Sequence, residues 1–435
     1  MRIYPYPSPL TEKRIQAITG RGLQYMKRDI TRISRIIQDV KKNGDEALIR
    51  YIRRFDSPRF TIEELRVSNQ EFRDAKSVVP ESFMKSLSRA ADQIESFHRR
   101  QKSASWITTE RDGIILGQMI RPIDRAGIYV PGGAGGATPL VSSVLMGALP
   151  ARIAGVKDIV MITPSTKTGA VNPFLLAAAR IAGVRAVFKT GSAWGIAALA
   201  FGTETVPKVD IIAGPGNIHV TLAKKILAGE VGIDMIAGPS EILILADDTA
   251  NPSYAAADLL SQAEHDPLAA AVMITDSKDV ALSTREALAE QIRYLNREDI
   301  ARKALSRYGM IILVPHLDAA FDLANRIAPE HLELLVKEPM TWLGRIRNAG
   351  AVFVGPYSPE PIGDYLAGPN HILPTAGTAR FSSALSVDHF VKKTSLIYYS
   401  KDAFLKEAPD VIRLAEVEGL GAHARSISVR LGGKP

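Results

Sequence analysis

The chain has 435 residues, of which 46% are hydrophobic and 23% charged, the make-up of a globular protein with two to four folding units of about 150 residues each. That composition excludes a disordered chain, a collagen and a coiled coil as overall descriptions, and no apolar run approaches the roughly 18 residues of a membrane-spanning helix. Cysteine is absent, so disulfides, thiolate-held metals and a thiol nucleophile are excluded, and catalysis must run on His, carboxylates, Ser, Lys or a metal held by nitrogen and oxygen.

The net charge of +8 is uneven: residues 1–110 hold 22 Lys and Arg against 14 Asp and Glu, and the other 325 residues hold 32 of each. In this basic front end both signs alternate with apolar residues at helical spacing, as at Ile30, Ile33, Ile36, Ile37 and Val40. That is the pattern of amphipathic helices with a solvated face, not of a nucleic-acid surface. The N-terminus, MRIYPYPSPLTEKRI, lacks the apolar core of a signal peptide, and a cytoplasmic location is expected.

Residues 1–26 read as a short arm, and 27–104 as helices broken at Ser57-Pro58 and Pro80. From 123 onward short β-rich runs recur at 127–130, 158–163, 186–190, 209–213, 241–246, 271–275, 310–314 and 351–354, with Ala-rich helical stretches such as 170–182 and 253–265 between them. Strands alternating with helices predict βαβ units and mostly parallel sheets, buried on both faces. The tail from about 386 reads as a small separate appendage.

Two Gly-rich turns follow predicted strands, GIYVPGGAGGATP (127–139) and IIAGPGN (211–217). Neither contains GxGxxG or GxxxxGK[ST], so they are either phosphate-contacting turns or simple tight turns at strand ends. Gln262 and His265 in LLSQAEHDP stand three apart near the end of a predicted helix, a spacing that suits one metal or else a solvated helix end. Glu330 and His331 in IAPEHLEL form a credible acid/base pair, or the first turn of a helix with Pro329 at its start. The Gly- and Pro-dense segment 355–377 reads as a long ordered loop carrying Asp364 and His371, and GLGAHARS places His423 near the C-terminus, five residues after Glu418.

A series of motifs then carries a resemblance: YVPGG (129–133), SSVLM (142–146), GTETVPKVD (202–210), GPGN (214–217), DMIAGPSE (234–241), LLSQAEHD (259–266), PEHLEL (329–334), GDYLAGPNHILPT (363–375) and KKTSLIYYS (392–400). In this order they resemble the histidinol dehydrogenase family from about residue 115 to the C-terminus. The resemblance implies a homodimer with two incomplete Rossmann-like domains of parallel sheet. Residues 1–26 would be an arm, 27–128 with 241–385 the first domain, 129–240 the nucleotide-binding second domain, and 386–435 a small C-terminal domain exchanged between subunits. It implies one zinc per subunit on Gln262, His265 and Asp364, with His423 from the other subunit. These nitrogen and oxygen donors also suit manganese or cobalt.

By the same resemblance the activity is a four-electron, NAD-dependent oxidation of histidinol through the aldehyde to histidine. His331 corresponds to the base for the hydroxyl proton and Glu330 to the residue that activates water. Ser240, His371 and Glu418 correspond to substrate contacts, joined by the four metal ligands and His331. Tyr129, Asn217 and position 194 correspond to cofactor contacts. Where the family pattern reads GGAQAIAAL this chain has GSAWGIAAL (191–199), so Trp194 replaces a cofactor-contacting Gln, and loop 132–139 is about three residues longer. Two alternatives share the motifs: a relative oxidising another small polar alcohol, such as a sulfopropanediol dehydrogenase, and a non-catalytic binding module, against which the intact Glu330 and His331 speak.

Overall fold

The structure is a computed structural model that describes residues 1–20, 27–132 and 138–432. It divides into two compact units, the first of residues 1–101 with 124–390 and the second of residues 102–123 with 391–435. The expected extra length of loop 132–139 falls mostly on residues 133–137, outside the described residues.

The first unit opens with β1 (Ile3–Pro5), α1 (Pro9–Thr19), α2 (Lys27–Phe55), α3 (Asn69–Val78) and α4 (Glu81–Arg99). The second unit's β2 (Trp106–Thr108) and β3 (Ile114–Pro122) follow. The chain returns to the first unit with β4 (Arg125–Tyr129), α5 (Val141–Ala154), β5 (Asp158–Ile162), α6 (Pro173–Ala182), β6 (Ala186–Phe188), α7 (Ser192–Phe201), β7 (Ile211–Ala213), α8 (Ile218–Leu227) and β8 (Gly232–Ile233). These strands form a parallel five-stranded sheet in the order β6-β5-β4-β7-β8.

A second alternating series follows: β9 (Glu241–Ala246), α9 (Pro252–Ala263), β10 (Ala270–Thr275), α10 (Lys278–Gln291), α11 (Glu298–Tyr308), β11 (Gly309–Leu313), α12 (Leu317–Ile327), β12 (His331–Leu335), β13 (Ala351–Val354) and the short helix α13 (Glu360–Tyr365). Its parallel sheet has the order β1-β11-β10-β9-β12-β13. Every residue of β9 and β10 is buried, as central parallel strands require.

The second unit is completed by β14 (Val391–Tyr399), α14 (Lys401–Val417) and α15 (Gly421–Arg430). Here β14 pairs antiparallel with β3 along nine residues, from Val391↔Pro122 to Tyr399↔Ile114, and β2 flanks β3 on its other edge.

The packing corrects the expected domain boundaries in three places. The arm is not separate at its start, because Ile3–Pro5 add a strand beside β11. Helix α2, expected with the first domain, packs on the helices of the five-stranded sheet, and Ile33, Ile37, Leu48 and Ile52 share one core with Trp194, Leu199 and Val220. A cut at 128 would also divide β4, a central strand of that sheet. Finally, the tail does not fold alone but with residues 102–123, whose strand β3 is its partner. Among the described residues no helix is long and apolar enough to cross a membrane.

Candidate active site

Glu330 and His331, the expected acid/base pair, sit at the N-terminal edge of the six-stranded sheet. His331 is the first residue of β12, not the start of a helix, so the helical alternative for PEHLEL is overturned: the branched and apolar run after it is the buried strand HLELL. Neighbouring β9 begins at Glu241, and its peptide groups hold both side chains. The Glu241 amide donates to Glu330 Oε2 at 2.9 Å, and His331 Nδ1 lies 3.0 Å from the Glu241 carbonyl. A carbonyl only accepts, so Nδ1 carries the proton and Nε2 presents its lone pair. Burial pushes the His331 imidazole down to about 4, against the opposing pull of Asp364, which leaves it neutral at pH 7. Burial also raises the Glu330 carboxyl well above the usual carboxylate range, reinforced by the charges of Glu241, Asp364 and Glu360.

Facing Nε2 is α13, a short helix within the Gly- and Pro-dense segment 355–377 that is expected to be a loop. Its Glu360 and Asp364 stand four residues apart and so share one helix face. Ligand atoms of His331, Glu360 and Asp364 lie within 4.8 Å of one another, a grouping that could hold a metal ion. Glu360 was not anticipated, although its i,i+4 relation to Asp364 was visible in PEPIGDY. It is buried, lies 3.9 Å from His331 Nε2, takes a 3.3 Å hydrogen bond from Ser261 Oγ, and donates its amide to Glu333 Oε1 at 2.7 Å. Burial, then Asp364, pushes the Glu360 carboxyl up to about 8. Burial alone would raise Asp364 too, but His371, His331 and His265 together hold it below its ordinary value.

His371 Nδ1 is 3.4 Å from Asp364 Oδ1, and His331, Asp364 and His371 line one cavity of about 470 Å³. The end of α9 reaches the same place through Ser261. Gln262 beside it is fully buried, and its Oε1 has no hydrogen-bond partner among the described residues. An acceptor stranded in this way fits a cation or a ligand donor. His265 is exposed, yet its charge is felt at both Asp364 and His331. Ser240 immediately precedes Glu241, the residue that orients the acid/base pair. Glu418, at the end of α14, and His423, on α15, are exposed and belong to the second unit.

The expected cofactor residues gather at the C-terminal rim of the five-stranded sheet, where open parallel sheets receive nucleotides. Tyr129 ends β4 and is buried with its hydroxyl against the Ser192 backbone; burial raises its pKa. Trp194 stacks on Tyr51 and Phe55 at 5.6 and 5.4 Å, and its indole N–H is buried without a partner among the described residues. Asn217 caps α8, accepting from the amides of His219 and Val220 at 3.0 and 3.2 Å, so its Oδ1 is engaged and only its amide nitrogen is left for a ligand. The preceding Gly214 has φ 121°, and a Cβ there would collide with the Tyr129 carbonyl.

The histidinol dehydrogenase family profile matches residues 21–431. The histidinol dehydrogenase of Carboxydothermus hydrogenoformans is 52% identical over 92% of this chain and 93% of its own length. That of Nitratidesulfovibrio vulgaris is 55% identical over 91% of each. A crystal structure of histidinol dehydrogenase from Elizabethkingia anophelis superposes with a TM-score of 0.93 at 37% identity, covering 99% of this chain and 98% of that one. With a buried His–Glu pair, a carboxylate helix opposite it and near full-length likeness, the chain belongs to the histidinol dehydrogenase family.

Proposed function

We propose that the chain oxidises L-histidinol through the aldehyde to L-histidine with NAD and one zinc ion per subunit, as a homodimer with shared sites. The observation that carries the chemistry is the fixed tautomer of His331 beside buried Glu330. The balance is one alcohol, one water and two NAD⁺ giving one carboxylate, two NADH and three protons. His331 Nε2 takes the hydroxyl proton of the alcohol, and again that of the hydrated aldehyde, while the carbon-bound hydrogen leaves as hydride. Glu330 takes a proton from the water that adds to the aldehyde. Burial and the neighbouring carboxylates raise its affinity for a proton, which makes its ionised form a stronger base than an exposed carboxylate. This route needs no thiol, in keeping with the absence of cysteine.

Zinc, when bound, fixes the substrate's nitrogens, and NAD accepts the hydride. Gln262, His265 and Asp364 would hold the metal with His423 of a second copy of the chain. The stranded Gln262 oxygen and the low proton affinity of Asp364 support that set. Ser240, His371 and the second copy's Glu418 would bind the substrate, and Tyr129, Trp194 and Asn217 the cofactor.

The test is the number of NADH formed per histidinol consumed with zinc present, with identification of the product. Two NADH and histidine are expected. One NADH with the aldehyde as end product would remove the role given to Glu330. No turnover with either NAD or NADP would point to a different small polar alcohol. In Glu330→Gln, aldehyde oxidation should fall about 100-fold or more, and alcohol oxidation much less.

A further inference from the structure

Five buried polar atoms without a hydrogen-bond partner among the described residues stand at the rim of the five-stranded sheet: Thr163 Oγ1, Ser165 Oγ, Thr190 Oγ1, Trp194 Nε1 and Asp56 Oδ2. Thr163 and Ser165 follow β5, Thr190 follows β6, and Trp194 lies in the first turn of α7. Asp56 follows directly on α2, whose last residue, Phe55, stacks on Trp194. Its charge is felt at the Tyr129 phenol, whose hydroxyl touches the Ser192 backbone. The five atoms therefore belong to one neighbourhood, framed by aromatic rings.

Asp56 differs from the other four in chemistry. A hydroxyl or an indole N–H left without a partner is a weak demand, whereas an ionised carboxylate offers only acceptors and calls for donors. A pyrophosphate would be repelled. A vicinal diol supplies two O–H donors to one carboxylate, and an acidic side chain at the rim of a parallel sheet is the usual partner of an adenosine ribose, a place that Asp56 reaches from the end of α2 and not from a strand. Resting on the NAD-dependent reading above, we propose that Asp56 accepts hydrogen bonds from the adenosine ribose hydroxyls of the cofactor and so selects NAD against NADP. A 2′-phosphate would remove one donor and set a dianion against the carboxylate.

The test is equilibrium titration of the full chain with ADP-ribose and with 2′-phospho-ADP-ribose, followed by tryptophan fluorescence and calorimetry, without turnover. The wild-type chain should prefer ADP-ribose by about 100-fold. In Asp56→Asn, affinity for ADP-ribose should fall about tenfold, and in Asp56→Ser the 2′-phosphorylated ligand should bind more tightly than in wild type, so that the preference narrows to within about fivefold. Circular dichroism and histidinol binding should be unchanged in both. An equal loss for the two ligands, or a preference unchanged within twofold, would overturn the assignment, because Asp56 would then face another part of the cofactor or none. A wild-type chain that binds neither ligand would instead refute the nucleotide reading itself.

Discussion

Glu333 lies two residues beyond His331 on β12 and faces Asp258 in the interior. Burial, then the charge of Asp258, pushes its carboxyl up to about 9 from an ordinary 4.5. The folded chain therefore keeps a proton there that the unfolded chain gives up above about 4.5. Its contribution to stability is complete below that pH and is lost progressively up to about pH 9, at about 1.4 kcal/mol per pH unit. Glu333→Gln, which imitates the protonated form, should flatten the fall in urea-unfolding stability between pH 5 and pH 8. An identical slope in the variant would show that Glu333 is ionised in the folded state. His331 works in the opposite sense: its lowered pKa makes the folded chain lose stability as pH drops from about 6.5 toward 4. At the reacting centre, His331→Asn should lower kcat by about 100- to 10,000-fold with little change in bound metal; a loss below about tenfold would move the base elsewhere. Of these residues, Glu330 and His331 stand out in the sequence as adjacent ionisable side chains, and the structure buries both against the Glu241 backbone. The role of Glu241 was not legible in the sequence, since it acts through its backbone, and Glu360 was hidden by the Pro-dense loop reading.

Among the elements, the GPGN turn shows how a short motif is held in place. Lys224 on α8 and Asp234 are almost entirely buried and form an ion pair. Lys224 Nζ donates to the Gly214 carbonyl at 3.0 Å, and Asp234 Oδ2 accepts from the Gly214 amide at 2.8 Å. Both backbone polar groups of one residue, Gly214, are thus gripped, which fixes the peptide units on either side of it. Asp234→Asn would leave Lys224 buried without a counter-charge and should cost about 3–5 kcal/mol of unfolding free energy. A loss below about 1 kcal/mol would mean that water takes the carboxylate's place. In the core that α8 also lines, Trp194 fills the space between Tyr51 and Phe55, and Trp194→Ala should cost a similar 3–5 kcal/mol through the cavity left behind. A much smaller change in unfolding free energy would mean that the two rings close over the gap. The strands were readable because their apolar runs are buried on both faces: all eight β-rich runs from 127–130 to 351–354 coincide with strands, most to within two residues at either end. The packing of α2 on the second sheet was not, because an amphipathic stripe states that a face is buried and not against what. Likewise the two-turn helix at Glu360 was obscured by prolines, which at a helix start are compatible with the fold.

For the whole molecule, sharing of sites between subunits makes a prediction that does not depend on any one rate. If His423 and Glu330 of one site come from different chains, a heterodimer of His423→Asn and Glu330→Gln subunits holds one site with both functions intact. About half of the heterodimer's sites should then carry the oxidation through to the acid, although neither parent homodimer does; a heterodimer that forms no more acid than its parents would show that each chain supplies its own site. The location of His423 in a unit separate from Asp364 is what the sequence could indicate only by resemblance, because no local pattern tells a terminal helix which site it serves.

The pairing of β14 with β3 has a consequence for biosynthesis. The two strands are separated by most of the chain, with β3 ending at Pro122 and β14 beginning at Val391. At a translation rate of about 5–20 residues per second, β3 leaves the ribosome roughly 15 to 55 seconds before its partner exists. Throughout that interval its edge, later sealed along nine residues, is open to other nascent chains and to chaperones. Apart from β1, which waits for β11, the strands of the first unit pair with strands nearer in sequence, and that unit can assemble in the meantime. The second is the last part of the protein to exist, so a ribosome stalled late would leave a chain with both sheets of the first unit and only the β2–β3 ribbon, one edge open, in place of the second.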